Sequence, residues 1–300
     1  MTTPAIRPLH PALGVEVTGL DVSRRLDDDE IRFLRGAFDQ NGLVLFRDVE
    51  LDRPRQAYLC ELLRVADLAP TEEEAAALAN QQPGFWISNK MEGAAGPFGS
   101  LMFHADSMWS PYPFDILSLF AVDVKPPVIP TLFASATRAW QQLPAELKDE
   151  VRDAVALNVS GPEYLPRRRV EAFEGRLSQG SRDHMPSFEW PVVRTHPRTG
   201  QELLYLCQAN THSIKGLDPD ASEDLIERLF AVLYAPENVF AYEWSDGDLI
   251  VWDNWSLHHA RPDVELDGPA RTLRKIGLPM ESSIRESSLI ETYHAVEVDS

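Results

Sequence analysis

Cysteine is nearly absent from this 300-residue chain: Cys60 and Cys207 alone are too few for a disulfide framework and fit a reducing compartment. Long apolar runs are also missing. No stretch approaches the roughly 18 uninterrupted apolar residues of a membrane-spanning helix, and the opening MTTPAIRPLH lacks the basic-then-apolar pattern of a secretion signal. Positive charge is scarce, with 28 Lys and Arg against 47 Asp and Glu for a net charge of −19. Such a surface repels phosphates, which argues against nucleic acid or an anionic membrane as partner. The expectation is a cytoplasmic protein. No internal repeat, low-complexity tract or linker divides the chain, so residues 1–300 read as one domain, and with 44% hydrophobic residues it can bury a substantial core.

Helical and extended patterns are segregated rather than regularly alternated. The acidic run Asp27-Asp28-Asp29-Glu30 precedes Ile31, Leu34 and Phe38 at helical spacing, and Gly42 ends that helix. Leu43 to Phe46 then reads as a short buried strand, with a second helix from Arg53 toward Val65 and a short one over EEEAAAL. Residues 81–100 carry Pro83, Gly84, Gly93, Gly96, Pro97 and Gly99 and read as a loop over a site mouth. Residues 137–155 read as helical around a break at Pro144, and residues 221–234 as an amphipathic helix. Residues 160–188, rich in Arg, Gly, Ser and Pro, read as a second lid or as a solvated insertion.

The residues that carry chemistry are His104 and Asp106, in H-A-D, and His259, in GDLIVWDNWSLHHARP. Two imidazoles and one carboxylate on one face suit iron with open coordination positions. Extended backbone puts residues two apart on the same side, so His104 and Asp106 can grip one ion. The third ligand must come from another strand, and the apolar run Leu-Ile-Val-Trp before Asp253 and Asn254 is suited to deliver it. His258, one residue away, projects differently and is read as a supporting or exposed histidine.

Four ordered stretches give the chain a family resemblance: PLHPALGVEVTGLDVSRRLDDDEIRFLRGAFDQNGLVLFRD, the H-A-D segment with KPPVIPTLFASATRAWQQLP, then PVVRTHPRTGQELLY, and GDLIVWDNWSLHHA. Together they resemble the taurine catabolism and 2,4-dichlorophenoxyacetate dioxygenase family. That resemblance implies a mainly β fold with flanking helices, whose core is a double-stranded β-helix or jelly roll. It implies iron(II) held by His104, Asp106 and His259, with 2-oxoglutarate as co-substrate and O2 as oxidant. In the family an arginine about twelve residues after the last histidine pairs with the distal carboxylate of 2-oxoglutarate, and a threonine hydrogen-bonds it. Arg271 and Thr131 match those positions. Strand alternation puts Arg271, Leu273 and Lys275 on one face and Thr272 and Arg274 on the other.

The implied reaction couples decarboxylation of 2-oxoglutarate to C–H oxidation of a small organic substrate. Hydroxylation is favoured, with desaturation or oxidative cleavage as alternatives. Asp106 fills the position that related halogenases leave for chloride. Where taurine-binding members resemble one another, this chain has Ser100, Asn210 and Lys275, which puts taurine in doubt. Met108 and Trp109, just past the ligands, are candidates to wall the substrate pocket. A zinc hydrolase on the same triad, or a non-catalytic metal-binding barrel, would leave Thr131 and Arg271 without a purpose. A homo-oligomer is compatible with the sequence.

Overall fold

The computed structural model describes residues 3–64, 85–173 and 187–278. Its strands are Ala5–Pro8 (β1), Val15–Thr18 (β2), Leu43–Phe46 (β3), Phe85–Ser88 (β4), Gly99–His104 (β5), Ile116–Val124 (β6), Thr131–Ser135 (β7), Val155–Val159 (β8), Ser187–Pro191 (β9), Val193–Thr195 (β10), Glu202–Leu204 (β11), Thr211–Ile214 (β12), Val239–Tyr242 (β13), Leu249–Asp253 (β14), Leu257–Val264 (β15) and Arg271–Leu278 (β16). Seven form a major sheet in the order β1-β2-β3-β14-β6-β16-β4, and four a minor sheet in the order β13-β7-β15-β5. The non-consecutive neighbours are the crossovers of a jelly roll.

Period-two alternation decides what each strand faces. In β14, Leu249 and Val251 pack outward against helices α1 (Asp28–Asn41) and α2 (Arg53–Arg64), in a cluster with Leu34, Phe38, Leu59 and Leu62. Ile250 and Trp252 point inward, between the sheets, with Leu45, Leu119, Phe133 and Leu273. Both faces of β14 are therefore buried, and its sequence is a continuous apolar run rather than an alternating one. Burying each such side chain contributes about 1.5–3 kcal/mol.

Helix α1 begins with a capping box: the Asp27 carboxylate accepts from the Asp29 and Glu30 N–H groups, and Glu30 returns a bond to the Asp27 N–H. It ends at Gly42, whose φ of 70° suits the left-handed cap. Helix α2 follows over Arg53–Arg64, and EEEAAAL lies outside the described residues. The helical signal around Pro144 resolves into Ala136–Gln142 and Ala145–Val151 and stops before β8. The amphipathic helix further on spans Pro219–Leu233, capped by Asp218.

The loop expected over residues 81–100 needs correction. Residues 81–84 lie outside the described residues, but Phe85–Ser88 is a strand paired with Arg271–Leu278, and another strand starts at Gly99. Flanking glycines and prolines obscured Phe-Trp-Ile-Ser, a run whose aromatic and β-branched residues favour a strand. In the second expected lid, residues 174–186 lie outside the described residues. The part before them holds a 3-10 turn over Pro162–Tyr164 and a short helix over Arg167–Ala172. Arg168 and Arg169 pin that helix to Asp224, Glu227 and Glu223 of Pro219–Leu233. No described helix is long and apolar enough to cross a membrane.

Candidate metal centre

Strand pairing brings the three ligand candidates together: β15 lies between β7 and β5, with His259 opposite both Phe133 and His104. The ligand atoms of His104, Asp106 and His259 all lie within 4.8 Å of one another. Asp106 Oδ1 faces both imidazoles, 3.3 Å from His104 Nε2 and 3.9 Å from His259 Nε2. The His104 Nδ1 pairs with the Met102 carbonyl at 2.8 Å, which turns Nε2 toward the site. Strand alternation is not what makes His104 and Asp106 converge, because His104 is the last residue of β5. Asp106 sits in the turn after it, where Ser107 takes a φ of 61°.

The electrostatics favour an ionised Asp106 carboxylate and a neutral His259 imidazole, the forms that ligate. Burial alone would raise the Asp106 pKa, but Lys275, His104 and His259 outweigh it and hold the carboxyl well below its usual range. The Lys275 ammonium is ion-paired with Asp106 Oδ2, the oxygen away from the imidazoles. Burial, aided by repulsion from His104, drives His259 well below the usual histidine range.

Deeper between the sheets, Arg271 is 4% exposed. Its Nη2 donates to Thr131 Oγ1 at 3.0 Å and its Nε to the Ile129 carbonyl at 3.3 Å. Trp244 Nε1 also donates to Thr131 Oγ1, at 3.0 Å. Among the described residues the side chain of Arg271 thus meets neutral acceptors, and burial, with Arg261 nearby, pushes its pKa down to about 9. Arg274 points to the opposite face of the sheet, where Gln56 and the Leu51 carbonyl accept from it.

A pocket of about 210 Å³ opens beside the triad, lined by Ser100, His104, Asp106, Trp109, Ser160 and Asn210 among others. Three of the residues singled out for substrate therefore border it, and Lys275 reaches its edge through Asp106. Met108 does not, and that assignment is corrected: its side chain is fully buried in the cluster of Ala139, Trp140 and Leu204. The turn at Ser107 carries it into the core. His258 is also fully buried, on the face of β15 away from the triad, paired with the Tyr234 hydroxyl at 3.0 Å. Burial, with His104, brings its pKa down to about 3.

Asn254 was not singled out by sequence reasoning. Its side chain clasps the backbone of Asp106: the Asp106 N–H donates to Oδ1 at 2.9 Å, and Nδ2 donates to the Asp106 carbonyl at 3.0 Å. His196 and Arg198, in the PVVRTHPRTG string, both bond Asp253 Oδ2, next to Asn254. Arg194 of the same string is stacked among Trp190, Tyr205 and Trp255, 3.9, 4.7 and 4.2 Å from their ring centres. The signal for these roles was the W-D-N triplet itself, which names residues but not partners.

The family model described as taurine catabolism dioxygenase TauD, TfdA family, matches residues 5–276. The chain is 30% identical over 263 residues to the (S)-phenoxypropionate/alpha-ketoglutarate-dioxygenase of Sphingobium herbicidovorans, which covers 86% of this chain and 89% of that protein. It is 26% identical over 269 residues to the alpha-ketoglutarate-dependent 2,4-dichlorophenoxyacetate dioxygenase of Cupriavidus pinatubonensis, covering 84% and 90% respectively. Among solved structures, AAD-2 in complex with Mn(II) and N-oxalylglycine superposes with a TM-score of 0.70 at 25% identity, over 92% of this chain and 96% of that one.

Proposed function

The chain belongs to the TauD/TfdA family of iron(II)- and 2-oxoglutarate-dependent dioxygenases, and from that premise we propose that it hydroxylates a small organic anion. The observation that carries the reading is the Arg271–Thr131 pair. A buried guanidinium with only neutral partners is costly, and a carboxylate offsets that cost. Thr131 Oγ1 already accepts from Arg271 and Trp244, so its own proton is left to donate to such a carboxylate. The distal end of 2-oxoglutarate supplies one, while its keto-acid end meets the ion held by His104, Asp106 and His259. A zinc hydrolase or a non-catalytic barrel gives the pair no ligand.

When bound, iron(II) and 2-oxoglutarate supply the activation of O2 that oxidises an unactivated carbon, with release of succinate and carbon dioxide. The protein's residues do the rest. Asp106 and the two imidazoles would hold the ion from one side, a ligand set that leaves positions for co-substrate, oxygen and substrate. Trp252, in edge contact with the His259 ring, and Phe133 and Leu273 beside it keep the interior dry. Lys275, ion-paired with Asp106, brings a positive charge beside the pocket, where it would favour an anionic group on the substrate. The relatives named above act on phenoxypropionate and 2,4-dichlorophenoxyacetate, both carboxylates. Ser100, Trp109 and Asn210 would then border the body of the substrate. On this reading residues 1–300 work as one catalytic domain in the cytoplasm.

The test is anaerobic addition of iron(II) and 2-oxoglutarate to metal-free protein, in wild type and Arg271→Ala. A visible charge-transfer band that appears in wild type and needs far more co-substrate in the variant is expected. A folded, iron-loaded wild type without the band would sink the reading. A screen of small carboxylates and sulfonates for succinate release then finds the substrate, and product mass separates gain of an oxygen atom from loss of hydrogen.

A further inference from the structure

One carboxylate ligand is delivered by a turn rather than a strand, and something must hold that turn before any ion arrives. Resting on the metal reading above, we infer that Asn254 is a positioning residue that aims Asp106 at the ion. The turn is unfavourable by itself, because Ser107 adopts a φ of 61°, a region that a residue with a Cβ rarely enters. Asn254 holds it from one side by clasping both the N–H and the carbonyl of Asp106, and its Nδ2 also reaches the Phe114 carbonyl at 3.0 Å. From the other side, Trp190 Nε1 donates to the Met108 carbonyl at 2.8 Å. Asp106 is thereby fixed through its backbone, leaving Oδ1 for the ion and Oδ2 for Lys275.

Asn254 is itself fixed. Its N–H donates to the Asp115 carbonyl at 3.0 Å. The neighbouring Asp253 accepts from the N–H groups of Trp255 and Ser256 at 2.9 and 3.1 Å through Oδ1. Its Oδ2 takes His196 and Arg198, and Arg198 continues to Asp39 on helix α1. Both polar atoms of the Asn254 side chain are used on backbone groups, Oδ1 and Nδ2 on Asp106 and Nδ2 also on Phe114. The side chain therefore controls where the ligand points and does not touch the reacting atoms.

The experiment is Co(II) titration of metal-free protein, followed by visible absorption and paired with thermal melts. Asn254→Ala should bind Co(II) roughly 10–100-fold more weakly, the usual cost of losing a group that orients a ligand. Its Co(II) spectrum should shift toward that of Asp106→Ala. Adding Ser107→Gly should recover part of the affinity, since glycine enters the left-handed region without strain. Leu34→Val, in the outer cluster far from the site, serves as the stability control. Should Asn254→Ala not fold, Asn254→Asp is read the same way, because it keeps the acceptor for the Asp106 N–H but loses the amide donor. Unchanged Co(II) affinity in the folded variant, or a loss that Leu34→Val reproduces, overturns the inference. A wild type that binds no Co(II) would remove the metal reading and this inference with it.

Discussion

At the scale of the residue, two cations from one strand set the charge of the interior between the sheets. Arg271 and Lys275 both project into it from β16, and Asp106 is the carboxylate that answers Lys275. Hydrogen bonds to a charged group contribute about 1.5–3 kcal/mol each. Arg271→Ala should therefore weaken 2-oxoglutarate binding by roughly two orders of magnitude, and Thr131→Val by about tenfold. Calorimetric titration with iron(II) replaced by Mn(II) measures both, and an unchanged affinity in Arg271→Ala would remove the co-substrate from that end of the barrel. Lys275→Ala is expected to raise KM for an anionic substrate while leaving the Kd for 2-oxoglutarate within about threefold, because its charge lies beside Asp106 and not beside Thr131. The triad was legible through the family-like strings that hold it, since a His-x-Asp triplet recurs easily by chance in a chain with eight histidines. Met108 was misread because a side chain's direction past a turn depends on one φ angle, and the sequence around Ser107 carries no glycine to announce it.

At the scale of the element, the turn joining β14 to β15 is where burial and charge meet. Asp253 is buried with His196 and Arg198 on one oxygen and two backbone N–H groups on the other. Burial alone would raise its pKa, but His196 and Arg198 carry it below the usual value of 3.8. A folded-state pKa below the unfolded one means that the stabilisation is present above about pH 4 and is lost as pH falls through the folded value. Asp253→Asn should cost about 3 kcal/mol at neutral pH, as expected when one partner of a buried charged cluster is removed. The gap to wild type should narrow below about pH 4. Urea melts across that range check it, and a gap that stays constant would show that the Asp253 charge is not the source. PVVRTHPRTG was legible as a distinctive string, yet its work, bracing W-D-N from across the fold, could not be read from either segment alone. Likewise Phe85–Ser88 was hidden by its glycine and proline neighbours until its partner strand was known.

At the scale of the whole molecule, the ion and the co-substrate should add stability, because the three candidate ligands come from β5, the turn after it and β15. Anything that binds only the folded state at 100 times its Kd adds about 2.7 kcal/mol. Spread over the unfolding entropy of roughly 2.1 cal/mol/K per residue, that is an increase in Tm of about 4 °C for a chain of this size. Mn(II) with 2-oxoglutarate should produce a shift of that order in wild type and none in His259→Ala, as followed by calorimetry. A comparable shift in the variant would place the ion elsewhere.

The sequence by itself determined that β14 is a short strand apolar on both faces, the acidic, capped start of α1, the excess of negative charge and the residue types at the candidate metal centre. These depend on neighbours a few positions away, and local chemistry is enough to set them. Only the tertiary structure decided that Asp106 is presented by a strained turn, that Asn254 holds it, that Lys275 takes its second oxygen and that Arg271 meets Thr131. Each of those contacts joins positions far apart in the chain, and their geometry exists only once the two sheets have closed around a common core.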